Sequence, residues 1–334
     1  MKKLYIVCDY REKFPSISTG TKVYNDHISK ESMINLIDTI KKCGYDAEYF
    51  GGVDELIKYY HQKIKMPDGI FINLNDGLLE KHKRGQTPLL LEMLKVPYSG
   101  SDPFHTLLVN DKYFTNLCLQ QNKILCPNSV LISDKNDVSQ IYELTPPLIV
   151  KPNYEGSSIG ILSSNFCNDV KSAINTSLKL LNNFDDVLVQ EYIPGYEVTN
   201  LIIRQKNTNA ILFNEPLSLS YNDQIFLNNE VFGKNEKSSN IRQYRLASQI
   251  LNATTVETIK QLSAQIIFTL HLFNFVRIDY RINGEKVYFI EANTNPAFGR
   301  NSDVGKCCNL LNISFDDFVS LFVKSLFNNY NDNN

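Results

Sequence analysis

The sequence predicts a protein of the mixed α/β and α+β class, built in three consecutive parts. Strand-like and helix-like segments alternate up to residue 103, which is typical of a parallel sheet covered by helices. Shorter strands around a single helix follow up to residue 197, and a long helix with an apolar hairpin dominates the remainder. Because 334 residues exceed an ordinary single domain, we expect two or three packed units.

The first part alternates from its beginning. L-Y-I-V-C at 4–8 is a short buried strand, and residues 29–43 form an amphipathic helix that ends at Gly44. The pattern continues with a strand at 47–50, a helix around 54–63, the strand G-I-F-I-N-L at 69–74 and a helix at 86–95. The turn residues Y-S-G-S-D-P at 98–103 mark its predicted end.

The second and third parts contain shorter elements. A helix from Asp111 to about Gln121 precedes strands around 129–132, 148–151, 158–162 and 187–192, with one helix at 168–182. A strand at 198–204, a long helix at 255–273, the hairpin and a last helix from Ser314 follow. The polar stretch at about 218–245 is too long for an ordinary connection, so it is either a mobile active-site loop or a solvated segment.

Composition excludes several classes of partner. The formal net charge is -2, and no stripe of Lys and Arg is present, so nucleic acid is not an expected partner. Apolar runs are too short to span a bilayer, and Asp9 comes too early for a signal peptide, so we expect a cytoplasmic protein. Seven scattered cysteines and five dispersed histidines indicate neither a disulfide framework nor a Cys/His metal site.

The hairpin V-R-I-D-Y-R-I-N-G-E-K-V-Y-F-I-E-A-N carries polar residues at a spacing of two. Arg277 and Asp279 share one face of their strand, and Glu291 and Asn293 share one face of theirs. A two-residue Asn283-Gly284 loop would put Glu291 on the opposite face from Asp279, whereas a three-residue loop or a bulge there would bring all four together. An ordinary edge hairpin with outward polar residues is the alternative interpretation.

If the four side chains converge, they form a site of hard oxygen ligands. Two carboxylates and an amide oxygen, without His or Cys, are ligands that Mg²⁺ prefers, and Mg²⁺ commonly bridges carboxylates to nucleotide phosphates. Arg277 beside them could neutralise an anionic intermediate.

A second motif is suited to phosphate binding. In P-L-I-V-K-P-N-Y-E-G-S-S-I-G-I at 147–161, an apolar strand presents Lys151 and leads into a turn rich in Gly and Ser. Small residues let backbone N–H groups approach phosphate oxygens, and the lysine adds a point charge. A plain hairpin turn is the alternative, but V-L-V-Q-E-Y-I-P-G-Y-E at 187–197 also exposes backbone groups that can pair with a purine edge.

The order of these motifs resembles that of the ATP-grasp superfamily, and within it the D-alanine–D-alanine ligases. The similarity runs from about Asp68 to Ser302, through D-G-I-F-I-N-L-N-D-G, V-P-Y-S-G-S-D-P, N-D-K, the Lys151 loop, Q-E-Y-I-P-G-Y-E, R-I-D and E-A-N-T-N-P. The resemblance implies an ATP-grasp fold with an N-terminal parallel-sheet substrate domain (1–103), a small central ATP-lid domain (104–197) and a C-terminal mixed-sheet catalytic domain (198–330). It also implies that ATP phosphorylates a carboxylate and that an amine then displaces phosphate.

The resemblance assigns expected roles to individual residues. Lys112 and Lys151 would contact phosphates under the loop that contains Glu155, Gly156, Ser157 and Ser158. Gln190 and the backbone of Glu191, Tyr192 and Ile193 would meet adenine, and Glu197 would hold the ribose. Asp279, Glu291 and Asn293 would hold two Mg²⁺ ions, with Mn²⁺ as a possible substitute. Arg277 and the backbone N–H near Ala297 would stabilise the oxyanion, with Ser157 and Ser302 near the amino-acid substrates.

The chain departs from the family pattern mainly at the amino-acid pockets. Cys8-Asp9-Tyr10-Arg11-Glu12 lacks the expected Gly-rich turn, and residues 214–232 lack the usual lid pattern. Gln190 replaces an acid, and Ala297 replaces a glycine, which requires a negative φ at that residue. Because the ATP and metal motifs are kept, the hypothesis is a working ligase with altered amino-acid or amine substrates. A genuine D-alanine–D-alanine ligase and an ATP-binding regulatory protein without turnover are the alternatives, and a homodimer is one open possibility for assembly.

Overall fold

The computed structural model describes residues 3–14, 27–78, 81–156, 160, 162–228 and 242–330. The strands in this part of the chain are β1 Lys3–Val7, β2 Ala47–Gly51, β3 Gly69–Asn73, β4 Ser129–Ile132, β5 Leu148–Pro152, β6 Phe166–Cys167, β7 Val187–Glu191, β8 Gly195–Arg204, β9 Ile211–Tyr221, β10 Phe226–Leu227, β11 Arg242–Leu246, β12 Asn274–Asn283 and β13 Lys286–Asn293. The α-helices are Lys30–Lys42, Val53–His61, Lys83–Met93, Pro103–Asn110, Lys112–Gln121, Val170–Leu180, Ala253–Thr269, Asp303–Leu311 and Phe315–Tyr330.

The first sheet is parallel, as the alternating pattern predicts, with the strand order β2-β1-β3. Helix Lys30–Lys42 begins where the Ser29 hydroxyl accepts the backbone N–H of Ser32 at 3.1 Å, which satisfies one of the free donors at a helix start. Its apolar face packs in one core with the sheet and with the last helix, Phe315–Tyr330. The N-terminal and C-terminal parts of the chain therefore share a core.

A smaller antiparallel sheet has the order β4-β7-β5-β6 and its own apolar core under helix Val170–Leu180. The predicted strand at 158–162 is wrong where the chain is described, because Gly160 lies in a turn and the next strand is β6 at Phe166–Cys167. The other residues of that predicted strand, 158, 159 and 161, lie outside the described residues.

The largest sheet has the order β11-β9-β8-β12-β13, with β10 paired to β8. Helix Ala253–Thr269 packs in the same core as β8 and β12. The interpretation of 218–245 as a continuous polar loop or solvated segment is wrong at both ends, since these residues complete β9 and form β11. Tyr221 donates to the Glu197 carboxylate at 3.0 Å, and Tyr244 donates to Asp303 at 2.5 Å. These side chains of β9 and β11 are therefore hydrogen-bonded within the protein, which the polar composition of the segment does not reveal. Residues 229–241 lie outside the described part.

The hairpin contains the predicted bulge, but at a different position. Asn283 pairs with Lys286, so the turn is Gly284-Glu285, and Gly284 has a φ of +59°, as a two-residue turn with glycine first requires. The register shifts farther along, where Asp279 lies opposite Glu291 and the next residue, Tyr280, lies opposite Phe289. Ile290 is thus the extra residue, and the location predicted at Asn283-Gly284 is wrong. The bulge puts Arg277, Asp279, Glu291 and Asn293 on one face, which confirms their predicted convergence.

No helix in the described ranges is both long and apolar enough to span a membrane.

Candidate active site

The polar face of the hairpin borders a cavity of about 700 Å³ between the N-terminal part and the large sheet. This volume is typical of a small-molecule site. Predicted residues that line it are Glu197, Arg277, Asp279, Glu291, Asn293, Ala297 and Ser302. Helix Lys30–Lys42 and the loop at 295–302 close other sides of the same space.

Arg277 is the centre of the charged network on this face. Its Nε and Nη2 donate to the two oxygens of Asp279 at 3.0 and 2.8 Å, and Nη2 lies 3.6 Å from Glu291 Oε1. Nη1 donates to Asp303 Oδ2 at 3.2 Å. Burial lowers the pKa of Arg277, but the charges of Asp279, Asp303 and Glu291 outweigh it and raise the pKa, so the guanidinium stays charged.

Asp279 is held from two sides. The Thr199 hydroxyl donates to its Oδ1 at 2.6 Å, in addition to the two bonds from Arg277. Burial, and then the like charge of Glu291, raise the pKa of Asp279 against the opposing effect of Arg277. The network therefore keeps two acidic groups close together with one guanidinium between them.

The three candidate metal ligands fit a hard divalent ion by their chemistry. Asp279 and Glu291 lie opposite each other, and Asn293 is two residues beyond Glu291 on the same face, so two carboxylates and one amide form a continuous row. Since both Asp279 oxygens accept from Arg277, an ion at this carboxylate would compete with that guanidinium.

Lys112 is bonded to the predicted phosphate loop and lines a small pocket together with residues of the hairpin. Its Nζ donates to the carbonyl oxygens of Asn153 at 3.1 Å and Glu155 at 2.6 Å. Burial lowers the pKa of Lys112, and the charge of Arg84 adds to that effect while Glu291 opposes it. A small pocket is lined by Arg84, Lys112, Glu155, Gly156, Glu291 and Asn293. Lys151 is buried on β5 and is not among these lining residues, and Ser157 and Ser158 lie outside the described residues.

The predicted adenine contacts are clustered at the end of β7. Gln190 is buried, and within the described chain its Nε2 has no hydrogen-bond partner. The N–H groups of Glu191 and Tyr192 already donate to the carbonyl oxygens of Asn128 and Pro147, both at 2.9 Å. The N–H groups of Glu191 and Tyr192 are therefore not available to adenine. The predicted backbone contacts with adenine are limited to the carbonyl groups of this segment and to the N–H of Ile193.

The remaining predicted residues are fixed by local contacts. Glu197 accepts from Tyr221 at 3.0 Å and from Arg281 at 3.1 Å. The Ser302 hydroxyl donates to the Gly299 carbonyl at 2.7 Å and accepts the Gly299 N–H at 3.2 Å, so it closes the turn before helix Asp303–Leu311. Ala297 is exposed, and its φ is not positive. This agrees with the requirement that an alanine in place of the family's glycine avoids a positive φ.

The N-terminal acid, Asp9, does not line the cavity. It is buried and accepts from the Val53 N–H and from Asn75 Nδ2, both at 2.9 Å, so it fixes the start of helix Val53–His61. The cavity wall on this side instead contains Arg11, Glu31 and Asp76.

Sequence reasoning also did not single out Arg84, Arg242 and Asp303, which belong to the charged network around the hairpin in the described part of the chain. Asp303 accepts from Arg277 and lies 3.6 Å from Arg242 Nη1. Arg84 contacts Asn293, which is 209 residues away in the chain. The one signal available for Asp303 was its position directly after Ser302, whereas no local pattern marks the other two.

Comparison with known proteins places this geometry in context. The family model described as "D-ala D-ala ligase C-terminus" matches residues 123–324. A D-alanine–D-alanine ligase from Fervidobacterium nodosum is 27% identical, covering 94% of this chain and 95% of the relative. One from Petrotoga mobilis is 28% identical, covering 92% and 96%.

Solved structures share the fold at lower identity. The D-alanine–D-alanine ligase from Bacillus anthracis complexed with ATP superposes with a TM-score of 0.72 at 16% identity, covering 98% of both chains. The VanG D-Ala:D-Ser ligase from Enterococcus faecalis gives 0.71 at 17%, covering 97% of this chain and 99% of the other. These likenesses confirm the predicted α/β and α+β ATP-grasp fold.

Proposed function

Because the chain belongs to the D-ala D-ala ligase C-terminus family, we propose that it is an ATP-dependent carboxylate–amine ligase, which forms an amide bond through an acyl phosphate. The substrates are small amino acids or amines. We further propose that these substrates are not the pair of D-alanines for which the relatives are named.

The observation that carries the proposal is the position of the bulged hairpin. Glu291 and Asn293 line both the large cavity and the small pocket that contains Lys112. A carboxylate substrate in the first space and nucleotide phosphates against the second would meet at these two residues. Such contact is what phosphoryl transfer to a carboxylate requires, since it depends on positioning and on charge neutralisation.

In the proposed reaction, a substrate carboxylate oxygen forms a bond to the γ-phosphorus of ATP and ADP leaves. The amine of the second substrate then attacks the acyl carbon, loses a proton, and displaces inorganic phosphate by breaking the C–O bond. A divalent ion bound at the hairpin would supply positive charge at the phosphates. We assign nucleotide contacts to Lys112, Lys151, Gln190 and Glu197.

Arg277 is the group proposed to stabilise the tetrahedral oxyanion. It remains charged, because three carboxylates surround it, and it faces the cavity rather than the core. A fixed positive charge in a site with little water contributes most where negative charge develops. Asp303 holds Nη1 of the same guanidinium and so acts as a positioning residue.

The altered-substrate part rests on the wall where the first amino acid would bind. Asp9 is buried and accepts hydrogen bonds from Val53, Asn75 and Lys13. The cavity wall on this side is lined by Arg11, Glu31 and Asp76 instead. The names of the relatives favour a genuine D-alanine–D-alanine ligase as the second candidate.

Phosphate release from ATP with Mg²⁺ and a panel of D- and L-amino acids and amines tests both candidates. We expect release that depends on a substrate pair other than two D-alanines, with the product identified by mass. Release with D-alanine alone would support the second candidate. ATP binding without release for any acceptor would contradict a ligase and favour the regulatory alternative.

A further inference from the structure

Lys83 is a buried lysine of the N-terminal part that forms an ion pair with the predicted phosphate loop. Its Nζ donates to Glu155 Oε2 at 3.1 Å, although the two residues are 72 positions apart in the chain. The Lys83 side chain is 4% exposed, and that of Glu155 is 16% exposed. Removing one partner of a buried ion pair leaves the other charge without compensation, so the loss of this contact has larger effects than the loss of a surface pair.

The main chain around Lys83 is tightly packed. Gly77 has a φ of +80°, and a Cβ added there would lie 1.9 Å from the Lys83 carbonyl oxygen, so these two segments are in close contact. A Cβ added at Gly85 would lie 2.7–2.9 Å from three atoms of the Leu107 side chain, which belongs to the next helix. The backbone that carries Lys83 is therefore fixed by contacts other than the ion pair.

Glu155 is bound by two lysines at the wall of the small pocket. Its carbonyl oxygen accepts from Lys112 Nζ at 2.6 Å, and its carboxylate accepts from Lys83. Glu155 and Lys112 both line the pocket, whereas Lys83 is not among the described residues that line either this pocket or the large cavity. We therefore expect Lys83 to act on the site through Glu155.

The negative charge of Glu155 would oppose nucleotide binding if it had no counter-ion. A carboxylate at the wall of a pocket that receives phosphates repels them, and the repulsion is stronger where little water screens it. Lys83 offsets this charge and holds the side chain in one position. A loop segment that is ordered before the nucleotide arrives also lowers the entropy cost of binding.

We propose that Lys83 is a positioning residue of the nucleotide site, which neutralises the Glu155 carboxylate and fixes the loop backbone at Glu155-Gly156. The inference rests on the proposed function, because it takes the small pocket as the place of the nucleotide phosphates. Lys83 thereby makes ATP affinity depend on the N-terminal part of the chain, which the sequence predicts as the substrate domain.

A double-mutant cycle tests this with Mg²⁺ and the non-hydrolysable ATP analogue AMP-PNP, whose dissociation constant is measured by isothermal titration calorimetry. Lys83→Met should raise the dissociation constant by about tenfold, which lies within the range for groups that act as a pair. In a Glu155→Ala background the same substitution should change it by less than about twofold, because the carboxylate is already absent. Equal effects of Lys83→Met in the two backgrounds would overturn the inference.

Lys260→Met is the matched control. Lys260 donates to Glu215 Oε2 at the same distance of 3.1 Å, and neither residue is among those that line the two pockets. The control loses the same charge and one ion pair, and it should keep the wild-type affinity. A purely structural role of Lys83 would lower the urea midpoint of Lys83→Met and leave its affinity for AMP-PNP unchanged, which would also overturn the inference.

Lys83→Gln replaces Lys83→Met if circular dichroism shows that the methionine variant does not fold, because glutamine removes the charge but keeps a hydrogen-bond donor. It should also bind AMP-PNP more weakly than the wild type, and wild-type affinity would overturn the inference. If the wild type binds the analogue and the cycle shows no coupling, only this inference fails. If the wild type binds no analogue, the proposed function fails with it.

Discussion

Substitution of Gly52 tests whether the buried carboxylate of Asp9 stabilises the fold through its hydrogen bonds. A Cβ added at Gly52 would lie 1.8 Å from Asp9 Oδ1 and 2.2 Å from its Cγ, so Gly52→Ala must expel the carboxylate. Asp9 is 4% exposed; its Oδ2 accepts from Val53 N–H and Asn75 Nδ2, both at 2.9 Å, and its Oδ1 accepts from Lys13 Nζ at 3.2 Å. At about 1.5–3 kcal/mol for each of the two bonds to Oδ2, and with little from the partly exposed Lys13, we expect a loss of roughly 3–6 kcal/mol in the free energy of unfolding.

Urea unfolding followed by far-ultraviolet circular dichroism measures this loss. Gly299→Ala is the control, because its added Cβ has no atom of the described residues within 4 Å, apart from Gly299 itself and its two chain neighbours, and it should change stability little. In Asp9→Ala the clash partner is already gone, so adding Gly52→Ala should cost almost nothing more. Additive effects of the two substitutions would refute the reasoning, because they would show that Gly52 does not act through Asp9.

Three further predictions concern the activity of hairpin variants, the stability contributed by a buried arginine and the reactivity of Cys8. Asp279→Asn and Glu291→Gln should each lower phosphate release by about 100-fold or more while circular dichroism stays unchanged, because each removes a candidate charged ion ligand; full activity in either would contradict the site. Arg204 Nη1 donates to the carbonyl oxygens of Ile267 at 2.7 Å and Leu272 at 3.1 Å. Arg204→Met removes both bonds and should lower the free energy of unfolding, measured in urea, by roughly 2–5 kcal/mol. A change below about 0.5 kcal/mol would show that these bonds do not stabilise the fold. Burial raises the pKa of Cys8 to about 12, so native Cys8 should react slowly with iodoacetamide at pH 8 and faster as the pH rises toward that value; rapid labelling at pH 8, read by peptide mass, would show the thiol is accessible and ionised.

The fold was predictable where local pattern and tertiary packing agree. The alternating apolar segments before residue 103 predicted the parallel sheet, and Ser29 and Gly44 marked the ends of its first helix. The hairpin shows the limit. Asn-Gly is a favoured turn pair, but β12 also pairs with β8, where Thr199 lies opposite Asp279 and bonds it. With this pairing and the bulge at Ile290, the two turn residues are Gly284-Glu285 rather than the locally favoured Asn283-Gly284.

The candidate site was predictable in its motifs and less so in its charge partners. Period-two spacing located the four polar residues of the hairpin, because strand geometry links spacing to face. The partners come from distant segments: Arg84 reaches Asn293 from the N-terminal part, and Asp303 reaches Arg277 from a later helix. A single sequence contains no local signal for contacts of this kind, since they depend on how the sheets pack together.

Oxygen transfer tests the central claim most directly. The amino-acid substrate found in the panel is labelled with ¹⁸O in its carboxylate and turned over with unlabelled ATP in unlabelled water. If an acyl phosphate forms, the C–O bond breaks when the amine attacks, and one ¹⁸O should appear in inorganic phosphate for each amide formed. Phosphate released without ¹⁸O, together with amide product, would contradict the acyl-phosphate route.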